Sequence, residues 1–116
     1  MATIVVMDDD EVILRLVCRV LEMGGHHVDA FPDAGPALED VDFEKVDLVI
    51  TDLSMPTSGE ILIQTLRERG IQTPVIVLTG HITEDKAQYL KLLGAREILR
   101  KPFDLKEFLE MVRSLV

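Results

Sequence analysis

Cysteine, basic residues and long apolar runs are all scarce in this 116-residue chain, and each shortage excludes something. The single Cys18 rules out an internal disulfide and fits a reducing compartment. No apolar run approaches the roughly 20 residues of a membrane span. Met1-Ala2-Thr3 leads straight into an apolar stretch, without the basic segment that opens a secretory signal, so a cytoplasmic location is expected. Lys and Arg number 12 against 21 Asp and Glu, a net charge of −9, which leaves no electrostatic footprint for nucleic acid. No Gly-rich phosphate loop follows the first apolar run, so a nucleotide or flavin binder lacks support. Linkers, low-complexity stretches and charged tails are also missing.

What remains is an ordinary soluble globule. The apolar fraction is 47% and the charged fraction 28%, and the length suits one domain with a core that needs no staples. The charge is lopsided: residues 1–58 hold 13 acids and 3 bases, residues 59–116 hold 8 and 9. Cationic partners, or partners that bring a metal, suit the first half.

Four apolar runs each end in a chemically useful side chain. Val5-Val6-Met7 runs into Asp8-Asp9-Asp10, Leu48-Val49-Ile50-Thr51 into Asp52, Val75-Ile76-Val77-Leu78 into Thr79-Gly80, and Ile98-Leu99-Arg100 into Lys101-Pro102. Short Val- and Ile-rich runs separated by helix-period segments read as buried parallel strands with crossover helices. The order is five strand–helix units. Strands are predicted at about Thr3–Met7, Val28–Phe31, Leu48–Thr51, Val75–Leu78 and Glu97–Arg100. Helices are predicted at Glu11–Met23, a short one near Ala34–Val41, Gly59–Arg69, Glu84–Leu93, and one after Asp104. Asp10 and Asp104 are the expected N-caps, with Glu107 at capping-box distance from Asp104. Ile13, Leu16, Val17, Val20 and Leu21 mark the expected core stripe of the first long helix, and Leu105, Phe108, Leu109, Val112 and Leu115 that of the last. Right-handed crossovers then give a three-layer sandwich, with helices on both faces of a parallel sheet.

In such open sheets ligands sit outside the carboxyl ends of the strands, so Asp8, Asp9, Asp52, Thr79 and Lys101 should converge on one edge. Three close carboxylates repel, and a divalent cation removes the conflict. Few carboxylates with room for water suit Mg²⁺. Lys101 adds a positive charge and Thr79 a neutral hydroxyl. A carboxylate, a hard cation, a lysine and a hydroxyl are what phosphoryl transfer to an aspartate requires. Singly, each has a plainer reading: an Asp before a helix caps it, a Lys-Pro pair is a solvated turn, and a strand-end Thr is structural. Their joint arrival on one edge, in this order, favours the site.

With these residues in place, the chain resembles a response-regulator receiver domain of two-component signalling over nearly its whole length, residues 1–116 forming a single domain. The matching stretches are VVMDDDE (5–11), VITDLSMP (49–56), PVIVLTGH (74–81) and GAREILRKPF (94–103). The resemblance implies a flavodoxin-like α/β fold, five parallel strands in the order 2-1-3-4-5 with five helices. It makes Asp52 the phosphoacceptor and places Mg²⁺ between Asp9, Asp52 and the main-chain carbonyl of Ser54, with Asp8 holding a metal-bound water. Thr79 becomes the switch hydroxyl and Lys101 the phosphate-pairing base. The implied donor is a phosphohistidine on a sensor histidine kinase or a histidine phosphotransfer protein. The receiver is then an enzyme only in catalysing its own phosphorylation and dephosphorylation. Output passes to a downstream effector domain or protein, with phosphorylation-dependent dimerisation as one mode, through about Glu84–Val116. No direct contact with nucleic acid or membrane is expected.

Two departures from the family pattern stand out. Members usually carry an aromatic residue three positions before the lysine, where this chain has Ile98; an aliphatic group cannot reproduce a ring's swing, so the output switch is expected to be altered, smaller or carried elsewhere. A Gly usually stands four residues beyond the Pro of the Met-Pro pair, but Gly59 is three beyond Pro56. The loop is thus one residue short, with an expected effect on Mg²⁺ affinity or donor access. His81 and Ser54, two positions beyond Thr79 and Asp52, occupy places that line the mouth of the site in the family. His26-His27 reads as a solvated turn. Leu14 and Cys18, off the expected core stripe, are candidates for docking a donor.

Two rival functions stay open beside the switch. A degenerate receiver would act as a constitutive protein-binding module, independent of phosphorylation. A haloacid-dehalogenase-like phosphatase would carry a second acid two positions after its nucleophile, where Ser54 stands, and would need more chain for a cap. Whether the chain acts alone or as the input piece of a longer protein is undecided at this level.

Overall fold

The computed structural model describes all 116 residues. Strands β1 (Thr3–Met7), β2 (His27–Phe31), β3 (Leu48–Asp52), β4 (Val75–Thr79) and β5 (Glu97–Arg100) alternate with helices α1 (Glu11–Met23), α2 (Ala34–Asp40), α3 (Gly59–Glu68), α4 (Glu84–Leu93) and α5 (Leu105–Leu115). A 3-10 turn at Phe43–Lys45, capped by Asp42, precedes β3 and was not foreseen from the pattern. The strands form one sheet in the order β2-β1-β3-β4-β5, every pairing parallel. The expected topology and the five helices are therefore present.

Alternation along the strands sorts side chains to the two faces. Val5, Met7, Val49, Val75 and Val77 point to the side packed by α2, α3 and α4, where Ala34, Leu62, Leu66 and Leu90 meet them. Ile4, Val6, Leu48, Ile50, Ile76 and Leu78 point to the other side, against Val17 and Leu21 of α1 and Phe108 and Val112 of α5. Because β1, β3 and β4 are covered on both faces, their sequences are continuous apolar runs.

Helix starts follow the predicted caps. Asp10 accepts from the backbone N–H groups of Val12 (3.0 Å) and Ile13 (3.4 Å), and Asp104 from those of Lys106 (2.7 Å) and Glu107 (3.4 Å). Two stripes need correction. On α1 the inward face is Ile13, Leu14, Val17, Cys18 and Leu21, so Ile13, Val17 and Leu21 lie where expected, whereas Leu16 is 39% exposed. Leu14 and Cys18, expected off that stripe, are half-buried and pack on the core. On α5, Leu105 is 38% exposed, although Phe108 and Val112 are buried as expected.

At the amino edge of the sheet, the Arg67 guanidinium gathers three backbone carbonyls. It donates to Ile71 at 2.7 Å, to Thr73 at 3.2 Å and to Gly94 at 2.8 Å. Gly94 has φ +136°, and a Cβ there would sit 2.5 Å from Arg67 Nε, so only glycine fits beside the clasp.

Candidate functional site

Parallel pairing brings the strand ends to one edge, with Met7 beside Thr51, Asp52 beside Leu78, and Thr79 beside Arg100. Asp8 follows β1 and is buried; its Oδ1 accepts from the Asp10 N–H at 2.9 Å. Asp52 ends β3, 6% exposed, and its Oδ1 faces the Ser54 N–H at 3.4 Å. Lys101 leaves β5 with its N–H donating to the Thr79 carbonyl (2.7 Å). Its four-carbon stem reaches back across the edge until Nζ lies 2.8 Å from Asp8 Oδ2 and 3.6 Å from Asp52 Oδ2. Asp9 is exposed, and an oxygen from each of Asp8, Asp9 and Asp52 lies within 4.8 Å of the others.

Charge in this pocket is not balanced. Burial, then the neighbouring Asp8 carboxylate, pushes Asp52 above its ordinary value, and Lys101 with the backbone N–H groups of Ser54 and Leu53 only partly offsets them. For Lys101, burial lowers the pKa, but the bond to Asp8 and the charges of Asp52 and Asp8 outweigh it, so the ammonium is held above its usual range. Three carboxylates against one ammonium leave two negative charges uncompensated. All the donors are hard oxygens, two of them on buried side chains and one open to water, and that set fits a Mg²⁺-sized cation better than a soft metal.

Of the residues singled out from sequence, Asp8, Asp9, Asp52 and Lys101 meet directly. Ser54 is exposed and borders Asp52 through its N–H. Thr79 lies at the adjacent strand end, buried, with its hydroxyl donating to the His81 carbonyl at 3.3 Å and so turned into its own loop. The His81 ring is exposed. Ile98 is half-buried against the core on the α2–α4 side. His26 lies elsewhere, its Nδ1 accepting from the Ala2 N–H at 3.1 Å.

The short loop Pro56-Thr57-Ser58-Gly59 closes without a gap. Ser58 caps α3, its Oγ accepting from the Ile61 N–H at 3.3 Å. Gly59 lies so close to the strand end that a Cβ would come 2.5 Å from the Asp52 carbonyl. Asp33, which the sequence reading passed over, holds the loop from outside: Oδ1 accepts from the Thr57 N–H at 2.6 Å and Oδ2 from the Gly35 N–H at 3.0 Å. Burial raises the Asp33 pKa, but these backbone donors prevail and hold it below the ordinary carboxylate value. An Asp between β2 and Ala34-Gly35-Pro36 has the local signature of an N-cap, yet nothing local points to Thr57, 24 residues away. Also unforeseen is the ion pair between Lys86 of α4 and Glu60 of α3.

The profile of the response regulator receiver domain family matches residues 4–113. Transcriptional regulatory protein CpxR of Escherichia coli is 36% identical over 118 residues, covering 100% of this chain and 50% of that protein. The alkaline phosphatase synthesis transcriptional regulatory protein PhoP of Bacillus subtilis is 33% identical, with 97% and 48% covered. The DNA-binding transcriptional regulator NtrC of Proteus hauseri is 31% identical, with 96% and 24% covered. The chain therefore spans about half, or less, of the length of these relatives. Among solved structures, chemotaxis protein CheY4 of Vibrio cholerae superposes with a TM-score of 0.90 at 28% identity, covering 100% of this chain and 99% of that one. A receiver protein of Pseudomonas putida gives 0.85 at 31%, with 97% and 96% covered. No helix is long and apolar enough to cross a membrane.

Proposed function

The chain belongs to the response-regulator receiver family, and on that footing we propose that residues 1–116 form a single receiver domain that accepts a phosphoryl group on Asp52. The family binds Mg²⁺ at an acidic pocket. The observation that carries the reading for this chain is the Lys101 ammonium set between Asp8 and Asp52, with a third carboxylate within 4.8 Å. Asp8, Asp9, Asp52 and the Ser54 carbonyl would hold the ion, which when bound neutralises charge on an incoming phosphoryl group.

The chain's own residues divide the remaining work. A carboxylate oxygen of Asp52 attacks phosphorus, a P–O bond forms, and the donor's P–N bond breaks, leaving its imidazole to take up a proton. Burial favours the reaction by stripping water from the attacking oxygen, and Lys101 offsets the charge gathering beside it. Lys101 then pairs with the phosphoryl oxygens. Thr79, by exchanging its bond to the His81 carbonyl for one to the phosphoryl group, stabilises one of two pre-existing conformations.

The donor in this reading is a phosphohistidine of a sensor kinase or a phosphotransfer protein, and the output goes to an effector domain or protein. The names of CpxR and NtrC point to transcription and DNA, which conflicts with excluding nucleic acid from a longer protein. The exclusion is kept for these 116 residues, on their charge of −9. The constitutive binding module is favoured by one observation, Ile98 packed in place of a mobile ring.

Intact-mass measurement after incubation with a small phosphodonor, with and without Mg²⁺, separates the two. The switch requires a Mg²⁺-dependent gain of one phosphoryl group that Asp52→Asn abolishes. No gain by the folded wild-type chain, from either a small donor or phosphorylated donor proteins, leaves the binding module as the better account.

A further inference from the structure

Helices α1 and α5 do not close fully on one another. A cleft of about 630 Å³ lies between them, walled by Val20, Leu21, Leu105 and Leu109 among others, with His26 and Arg113 as its only strongly polar side chains. That volume and that mixture, mostly apolar with a few polar groups, are those of small-molecule sites, roughly 300–1,000 Å³.

The two polar groups both lack an acceptor. His26 Nδ1 accepts from the Ala2 N–H, so the proton of the neutral ring must sit on Nε2, leaving that atom as a donor. The Cδ2–Nε2 edge of the ring lies beside Gly24, another residue of the cleft wall: an added Cβ on Gly24 would be 3.4 Å from Cδ2 and 3.6 Å from Nε2. His26 Nε2 meets no acceptor in the protein and is not sealed from solvent. Arg113 forms neither an ion pair nor a side-chain hydrogen bond, although the chain has 21 acids. Both helices run from the carboxyl edge of the sheet to the amino edge. His26, just beyond α1, and Arg113, in the last turn of α5, therefore lie toward the end opposite the acidic site.

We propose that this cleft binds a small amphipathic monocarboxylate, an unbranched acyl chain of medium length. Its tail lies along the leucines and valines, and its carboxylate accepts hydrogen bonds from Arg113 and from His26 Nε2. The carbonyl ends of α1 and α5 both oppose any anion there. Apolar contact must therefore supply most of the affinity, and the charged groups the preference for a carboxylate. A guanidinium that served only to balance the α5 dipole would have no part in ligand choice. The site is independent of chemistry at Asp52.

The test is a titration of the full, isotope-labelled chain with octanoate, 1-octanol and acetate, read by amide chemical shifts. Octanoate is expected to give saturable shifts confined to residues 20–26 and 105–113. Octanol should bind at least fivefold more weakly and acetate not at all in the same range. Arg113→Gln should reduce octanoate to the affinity of octanol, while Arg113→Lys keeps most of the preference. The proposal is overturned by the absence of saturable shifts, by equal binding of octanoate and octanol to the wild-type chain, by an Arg113→Gln variant that binds octanoate unchanged, or by shifts spread over the whole spectrum, the mark of detergent action.

Discussion

Two loops leave the carboxyl edge side by side, and they are built to opposite specifications. The loop from Asp52 to α3 is pinned. Asp33 holds Thr57 from a neighbouring connection, Ser58 caps the helix, and Gly59 presses against the Asp52 carbonyl. The loop from Thr79 to α4 has no long-range hydrogen bond of that kind and rests on the core through Ile82 alone. Its side-chain bonds are local, Thr79 to the His81 carbonyl and the Thr83 cap to Lys86, and a Cβ on Gly80 would meet nothing within 4 Å. If Asp52 is the phosphoacceptor, as proposed, it must stay fixed while something beside it moves, and this arrangement would separate the two demands between adjacent strands. The missing residue after Pro56 falls on the pinned side, where the Asp33 bonds hold what remains.

Glycine replacements probe the contrast most sharply. Gly59→Ala forces a Cβ to 2.5 Å from backbone, and overpacking of this kind is expected to cost about 1–3 kcal/mol, read from the urea midpoint. A cost below a few tenths would mean that the loop gives way and is not pinned.

Asp33→Asn comes next. An Asn side chain offers one acceptor where Thr57 and Gly35 require two, and the loss should be about 1 kcal/mol at neutral pH, discounted because the group is partly exposed. The pH dependence has a definite sign. A carboxylate whose folded pKa is depressed stabilises the fold above its unfolded value, and that contribution disappears as pH falls through the folded value. Wild type and Asp33→Asn should therefore keep their gap down to about pH 4 and converge only below it, and denaturation midpoints carried from pH 7 to about pH 2 will show whether the gap narrows there.

The smallest effect is expected on the free side. Gly80→Ala should change stability by no more than about 0.5 kcal/mol in either direction, and should leave the rate of labelling at Asp52 within twofold. A loss comparable to that of Gly59→Ala would erase the distinction between the loops.

Much of this architecture was legible in the chain because its signals are local. The strands announce themselves as Val- and Ile-rich runs, and Asp10 and Asp104 mark helix starts by sequence position alone. The four residues that meet at the edge were legible because parallel topology carries every strand end to the same side. Where the reading failed, the physics was degenerate or long-range. Helix α1 holds Val12, Ile13, Leu14, Leu16, Val17, Cys18, Val20 and Leu21, so more than one stripe satisfies a helical period. Only the position of α5 and the sheet adds Leu14 and Cys18 to Ile13, Val17 and Leu21 and leaves Leu16 outside. The Asp33–Thr57 bond joins two segments that no periodicity connects, and the partners of Lys101 and Arg67 depend on the same kind of distant closure.

Arg67 adds a mechanical consequence. Its guanidinium binds the carbonyls of Thr73 and Gly94, which lie just before β4 and just before β5. Sliding β4 past β5 would stretch those bonds, whereas rotating about them would not. These two strands are thus stitched along one margin like the spine of a book. A disturbance that begins at Thr79 starts on the opposite margin, where only backbone joins the two strands, and would spread as a turning page, its displacement growing with distance from the stitching.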